Sequence, residues 1–400
     1  MHCVKQLKQD LYWVGGSDRR LALFESQYPI PRGVSYNAYV LLDEKTVLLD
    51  TVDKSVSGVS LENLDHVLAG RGLDYLVVNH MEPDHCATVA EVALRHPEAT
   101  LVCNQKTVPM LQQFFGSAIT EKLHIVAEMD TLTTGRHTLA FVMAPMVHWP
   151  EAMVTYDTTD KTLFSADAFG SFGALGGSIY ADEVNFQTDW LSDARRYFVN
   201  IVGKYGAPVQ AVLKKAAGLE LDLVCPLHGP VWRKDLGWIL DKYQHWSTCT
   251  PEDKDVVIFY ASVYGGTENA SQVLASKLDD LGVKNAKVYD VAVTHVSDLV
   301  AEAFRASHLV FAAPTVDGDM FPAMQTLLHH LTSHALHDRT VAFMENGTWA
   351  PMAGKKMAEQ LQACKNLTVV EPTVTIRSAL NGGSLESLEA LAQALAADLK

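Results

Sequence analysis

Between residues 255 and 399 strand-like and helix-like patterns alternate five times. Apolar runs at 255–261, 287–291, 308–313, 340–344 and 367–370 are each followed by helical spacing, at 268–281, 296–305, 322–331, 354–364 and 385–399. A parallel neighbour can be reached only by a crossover long enough to hold a helix, so this alternation predicts a doubly wound parallel sheet. The preceding residues follow another rhythm. Apolar runs at 40–43 and 46–50, separated by Glu44-Lys45, read as a hairpin, and 75–79 reads as a strand covered on both faces. Further strand-like runs stand at 100–103, 139–144, 153–156 and 162–165, with helical spacing at 193–204 and 234–245. Strands and helices in irregular order predict stacked sheets flanked by helices. The stretch 247–254, which holds Pro251 among polar residues, reads as the linker, giving domains at 1–250 and 254–400.

Composition removes several classes of function. The 400 residues carry 47 acidic against 32 basic side chains, a formal charge of −15 that repels polyanions, so nucleic acid is not an expected partner. No apolar run approaches the ~18 residues of a membrane span. The start, from Met1 to Lys8, lacks the apolar core of a secretory signal, and a cytoplasmic protein with no membrane partner is expected. Six scattered cysteines, Cys3, Cys86, Cys103, Cys225, Cys249 and Cys364, contain no C-x-x-C pair, which argues against zinc knots and a disulfide framework.

Directly after the strand ending at Asn79 comes His80-Met81-Glu82-Pro83-Asp84-His85, four potential metal ligands in six residues. If the segment stays extended, alternation sends His80, Glu82 and Asp84 the same way, and Pro83 opposes regular helix. His148, Asp167 and His228 follow at wide spacing, each after an apolar run that reads as a strand. Seven ligands, three of them carboxylates, form an inventory for two metals sharing a bridge. His96, His124, His137 and His245 lack such company and are read as structural.

The order resembles the metallo-β-lactamase signature H-x-H-x-D-H with later single His, Asp and His positions, except that Glu82 stands where the second histidine belongs. Zinc favours nitrogen and sulfur donors, whereas redox iron accepts more oxygen and benefits from a bridging carboxylate. The set therefore points to non-haem di-iron.

In the second half the strand at 256–261 runs into Ser262-Val263-Tyr264-Gly265-Gly266-Thr267 and then into a helix, the layout of an anion cradle. It has no lysine, so it is not a Walker A loop. It resembles the flavodoxin phosphate loop with Tyr264 in place of the inner threonine. Two further strand-end loops, Pro314-Thr315-Val316-Asp317-Gly318-Asp319 and Glu345-Asn346-Gly347-Thr348-Trp349-Ala350, stand where a flavin ring would lie, and Tyr264 or Trp349 could stack on it. The expected cofactor is FMN.

A metallo-β-lactamase-like αββα sandwich followed by a flavodoxin-like doubly wound sheet resembles the flavodiiron proteins, or A-type flavoproteins, over essentially the whole chain, including 33–39 near its start. The resemblance implies one iron on His80, Glu82, His148 and bridging Asp167, and a second on Asp84, His85, His228 and the same Asp167. In some members the position of His85 is not bonded to iron. Tyr197 fits a tyrosine that could hydrogen-bond a diatomic, or could equally be a packing residue. The implied activity is reduction of O2 to water, of NO to N2O, or of both. Because the flavodoxin-like unit runs to Lys400, the implied electron donor is separate, such as rubredoxin or a reduced deazaflavin. The resemblance also implies a head-to-tail homodimer or homotetramer. Two other readings compete: a binuclear zinc hydrolase fused to a flavodoxin-like module, opposed by Glu82, and a pure electron carrier, opposed by the complete ligand set.

Overall fold

The computed structural model describes residues 2–399. The chain divides into two compact units. One comprises the residues up to Phe198 together with Tyr205–Tyr243, and the other comprises Val199–Lys204 and the chain from Gln244 onward.

The first unit contains two main sheets. One has seven strands in the order Lys5–Gln6, Leu11–Trp13, Tyr39–Leu42, Thr46–Leu49, Tyr75–Val77, Thr100–Asn104 and Leu123–Val126. The other has five, Thr131–Thr133, Thr138–Met143, Met153–Asp157, Thr162–Phe164 and Leu223–Cys225. Thr46–Leu49 and Met153–Asp157 are buried at every position, so neither face of either sheet meets water there. That is the burial of stacked sheets with helices outside, the αββα sandwich expected from the sequence. Tyr39–Leu42 and Thr46–Leu49 form the antiparallel hairpin that the Glu44-Lys45 break predicted.

Two segments differ from the sequence reading. Residues 80–85 do not stay extended. Glu82 is the last extended residue, at φ −63° and ψ 139°, and Pro83–Cys86 forms a turn of α-helix. Pro83 opens that turn instead of opposing it, since its missing N–H belongs to a group that no helix satisfies at its first position. The helix expected over 193–204 is regular only across Leu191–Tyr197, and then widens into a π-helical turn at Phe198–Val202.

The second unit is a parallel sheet in the order Lys287–Asp290, Asp253–Tyr260, Ala306–Val316, His337–Asn346, Lys365–Val369. Written by position in the chain this is 2-1-3-4-5, the flavodoxin order, with its switch point between the first and third strands. The core between its sheet and the two helices Gly266–Asp280 and Gly382–Asp398 is apolar. Val256, Ile258, Val310, Ala312, Ala342 and Met344 from the strands pack with Leu274 and Leu278 from Gly266–Asp280 and with Leu388, Leu391 and Leu395 from Gly382–Asp398. Each buried leucine contributes about 2 kcal/mol. Asn381 and Ser384 close a capping box on the last helix. The segment read as a polar linker shortens to residues 248–252, and it is not solvated throughout. Cys249 is buried, with its carbonyl accepting from Arg339 Nη1 at 2.5 Å.

Candidate functional site

The seven residues singled out around His80 converge. Each of the four chain segments that carry them leaves a buried strand: Tyr75–Val77 leads to the 80–85 segment, Thr138–Met143 to His148, Thr162–Phe164 to Asp167 and Leu223–Cys225 to His228. Rigid strands thus aim short loops at one point. The residues fall into two sets. In each set the ligand atoms lie within 4.8 Å of one another: His80, Glu82, His148 and Asp167 in one, and Asp84, His85 and His228 in the other. The simple alternation that grouped Asp84 with His80 and Glu82 is corrected here, because the helical turn after Pro83 swings Asp84 and His85 to the second set.

Asp167 joins the sets. Its Oδ2 lies 3.1 Å from His148 Nε2 and 3.3 Å from His80 Nε2, while Oδ1 lies 3.0 Å from His85 Nε2. Glu82 Oε2 lies 2.9 Å from His148 Nε2, and Asp84 Oδ2 lies 3.2 Å from His228 Nε2. Four imidazole Nε2 atoms thus face three carboxylates in an interior from which water is largely excluded.

The charges reinforce one another. Burial opposes charging His148, but hydrogen bonds with Asp167 and Glu82 outweigh it and push the imidazole up to about 9. His80 is likewise raised well above its ordinary value, against burial, by Asp167, Glu151 and Glu82. Burial raises Asp167, yet the surrounding histidines hold it well below the carboxylate range. Protons do not satisfy the whole set, however. Both oxygens of Asp84 are buried and neither is hydrogen-bonded, Oδ2 lying only within ion-pair distance of His228 and His85 and Oδ1 meeting no partner. Unpaired buried carboxylate oxygens are costly, and a pair of divalent cations facing mixed N/O donors would satisfy them. The donor set therefore fits two metal ions.

Several contributors escaped the sequence reading. Glu151 accepts from His80 Nδ1 and from the Met81 N–H, both at 2.9 Å. Asp50 accepts from Asn79 N and Nδ2 at 2.7 Å, holding the start of the ligand loop, and burial pushes its carboxyl up to about 6. Ser35 presents its carbonyl to His228 Nδ1 at 2.8 Å. Glu25 is exposed, yet desolvation beside the cluster and repulsion from Glu82 push its carboxyl up to about 8. A lone carboxylate or carbonyl carries no spacing signal, although Glu151 stands three residues after His148. Tyr197, which the sequence did single out, is fully buried, packs 5.4 Å from the His228 ring, and has a hydroxyl with no partner. A third cluster, His137 with Asp157 and Asp160, already contains a cation, since Arg136 lies 3.0 Å from Asp160 and 2.9 Å from Asp10.

In the second unit the three expected loops stand at the carboxyl ends of adjacent strands. Gly265, at φ 86°, turns the chain into the helix Gly266–Asp280, and its N–H donates to Ser262 Oγ at 3.0 Å. A Cβ on Gly266 would lie 2.3 Å from the Ser378 carbonyl, so this close approach requires glycine. Ser378 ties in the next loop, donating its N–H to Asn346 Oδ1 at 3.0 Å and pairing with Thr348 Oγ1 at 3.0 Å. In the 314–319 loop, the Thr315 hydroxyl accepts from Met352 N at 2.8 Å, which commits it to the start of the helix Ala353–Leu361. Asp317 and Gly318 make its turn with φ of 52° and 74°. Tyr264 is 99% exposed and Trp349 85%, the two large flat side chains left uncovered beside these loops. A helix start opening on glycines, next to uncovered aromatic rings, fits a phosphorylated planar cofactor.

These features define a class: a sandwich with a carboxylate-rich binuclear site, in one chain with a flavodoxin-type sheet. The family described as "ODP family beta lactamase" matches residues 34–229. The anaerobic nitric oxide reductase flavorubredoxin of Pectobacterium atrosepticum is 30% identical over 348 residues, 86% of this chain and 68% of that protein. The nitric oxide reductase of Moorella thermoacetica is 29% identical, covering 97% and 96% of the two chains. The rubredoxin oxygen:oxidoreductase of Desulfovibrio gigas superposes with a TM-score of 0.92 at 25% identity, over 99% of this chain and 98% of that one. The chain belongs to the flavodiiron protein family.

Proposed function

We propose that the protein is an oxidoreductase that reduces O2 to water, NO to N2O, or both, at a non-haem di-iron site fed by FMN. The observation that carries this reading is the convergence of seven buried side chains in two sets joined by Asp167, with Glu82 supplying oxygen where a zinc hydrolase would have nitrogen. His80, Glu82 and His148 would hold one iron and Asp84, His85 and His228 the other, with Asp167 between them. His85 is included because its Nε2 points into the cluster, 3.0 Å from Asp167 Oδ1. The loops at 262–267, 314–318 and 346–349 would hold FMN. The iron pair and the flavin together supply the four electrons that dioxygen reduction requires.

The chain's own residues supply the rest. Buried walls keep bulk water from the carboxylates, and the second-set imidazole of His228 is fixed by its Nδ1 bond to Ser35 O. Burial together with Asp167 holds the Tyr197 phenol well above its ordinary value, so its hydroxyl stays a donor for a bound diatomic. An electron donor on a separate protein, such as rubredoxin, or a reduced deazaflavin fits this scheme, as does a cytoplasmic location; among the described residues no helix is long and apolar enough to cross a membrane. A unit of about 250 residues has a radius of gyration near ~18 Å, long for fast electron transfer between cofactors within one chain, and the head-to-tail homodimer or homotetramer that the family resemblance implies would shorten that path.

The test is steady-state turnover of the purified protein with O2 and with NO, using reduced rubredoxin, alongside metal and flavin analysis. Two irons and one FMN per chain with gas consumption are expected. Zinc with hydrolytic turnover would establish the hydrolase instead.

A further inference from the structure

The two halves of the candidate metal centre are backed differently. His80 Nδ1 donates to Oε1 of Glu151 at 2.9 Å, and the same oxygen takes the Met81 N–H at 2.9 Å. Glu151 is 1% exposed, and its carbonyl accepts from Asn104 Nδ2 at 2.6 Å, so its backbone is anchored as well. With Nδ1 bound in this way, His80 turns Nε2 toward Glu82 and Asp167, at 3.3 Å from each. In the other half His228 Nδ1 meets only the neutral carbonyl of Ser35, and His85 Nδ1 is buried with no partner. A carboxylate behind a ligating imidazole fixes its tautomer and makes it a stronger donor to the metal, and it adds negative charge on that side. A backbone carbonyl does so more weakly.

We propose that Glu151 is a positioning residue that makes the two metal sites unequal, stabilising the ferric state of the iron held by His80, Glu82 and His148. This rests on the di-iron reading above. When the diferric pair takes up one electron, that electron settles on the iron held by Asp84, His85 and His228. The second electron then reduces the iron beside His80. The one-electron mixed-valence state is thereby favoured over an equal mixture of diferric and diferrous pairs.

The experiment is a stepwise titration of the iron- and FMN-loaded protein with a one-electron reductant. The mixed-valence signal is followed by electron paramagnetic resonance, the iron oxidation states by Mössbauer spectroscopy, and iron content is measured throughout. In Glu151→Gln the amide keeps the shape and loses the charge. The constant for forming the mixed-valence state, read from the signal maximum, is expected to fall about tenfold, the lower end of effects seen when such backing groups are removed. Glu151→Asp, which keeps the charge, is expected to restore most of the signal. An unchanged maximum in Glu151→Gln with two irons bound would overturn the proposal, as would equal loss in both variants. Where the amide variant does not fold, Glu151→Asp alone decides: retained signal supports the role of the charge and lost signal overturns it. An unaltered protein with no iron pair would overturn the underlying reading, a result distinct from any of these.

Discussion

His85 Nε2 lies 3.0 Å from Oδ1 of Asp167, while the other oxygen of that carboxylate faces His148 and His80. One buried side chain therefore serves both sets, and replacing it should damage both while sparing the rest. Asp167→Ala is expected to abolish gas consumption and to cut iron below two per chain. The flavin absorption spectrum should stay intact, because the loops proposed to hold FMN belong to the other compact unit. Oxygen consumption retained at the original rate would remove Asp167 from the bridging role.

Tyr197 presents the opposite case, a buried hydroxyl that no protein group satisfies. Deleting an unpaired buried hydroxyl costs little, so Tyr197→Phe should change stability by less than about 1 kcal/mol. If the hydroxyl donates to the diatomic, turnover should fall about ten- to a hundredfold with iron and flavin content unchanged. A phenylalanine variant with full turnover would leave Tyr197 as the packing residue that the sequence equally allowed.

The legibility of the sequence follows the range of each interaction. Strand-helix alternation is local, and so a doubly wound parallel sheet could be anticipated from 255 onward, whereas its 2-1-3-4-5 order is set by the crossovers. The ligand types were legible too, because chemistry-bearing residues stand directly after apolar runs. Their grouping was legible only through the family resemblance, not through local periodicity. Alternation put Asp84 with His80 and Glu82, whereas a proline at the first position of a helical turn moved Asp84 to the other set. The π-helical turn after Tyr197 was equally invisible, since one residue of extra winding leaves the apolar spacing nearly unchanged. Glu151, Ser35 and Ser378 act through contacts between residues far apart in the chain, so even Glu151, three residues after His148, and Ser35, within the 33–39 stretch, carry no local sign of what they touch.

The flavin site should be separable from the metal site by a single methyl group. A Cβ at position 266 would meet the Ser378 carbonyl at 2.3 Å and Asn346 Nδ2 at 3.0 Å, backbone and side chain that together hold two of the loops. Gly266→Ala must push these loops apart, at a cost of about 1–3 kcal/mol. The purified variant is expected to lose most of its flavin absorbance while retaining two irons per chain. Full flavin content would show that these loops do not carry the cofactor.

Asp43 gives the first unit a calculable sensitivity to acid. Burial raises its carboxyl, but the His137 and Arg136 N–H groups, the Thr134 hydroxyl and the Glu44 N–H outweigh this and hold it at about 2, against an ordinary 3.8. A carboxylate depressed in the folded state stabilises the fold above its unfolded value. That contribution is present in full above about pH 5 and disappears as the pH falls from about 4 to about 2. The side chain is partly solvated, so the effect is about 1 kcal/mol rather than the full value of the shift. Asp43→Asn should therefore lower the denaturant midpoint at pH 7 and converge with the unaltered protein near pH 2. Equal midpoints at pH 7, or a gap that widens on acidification, would show that the carboxylate's N–H and hydroxyl bonds are not what holds this corner of the sandwich.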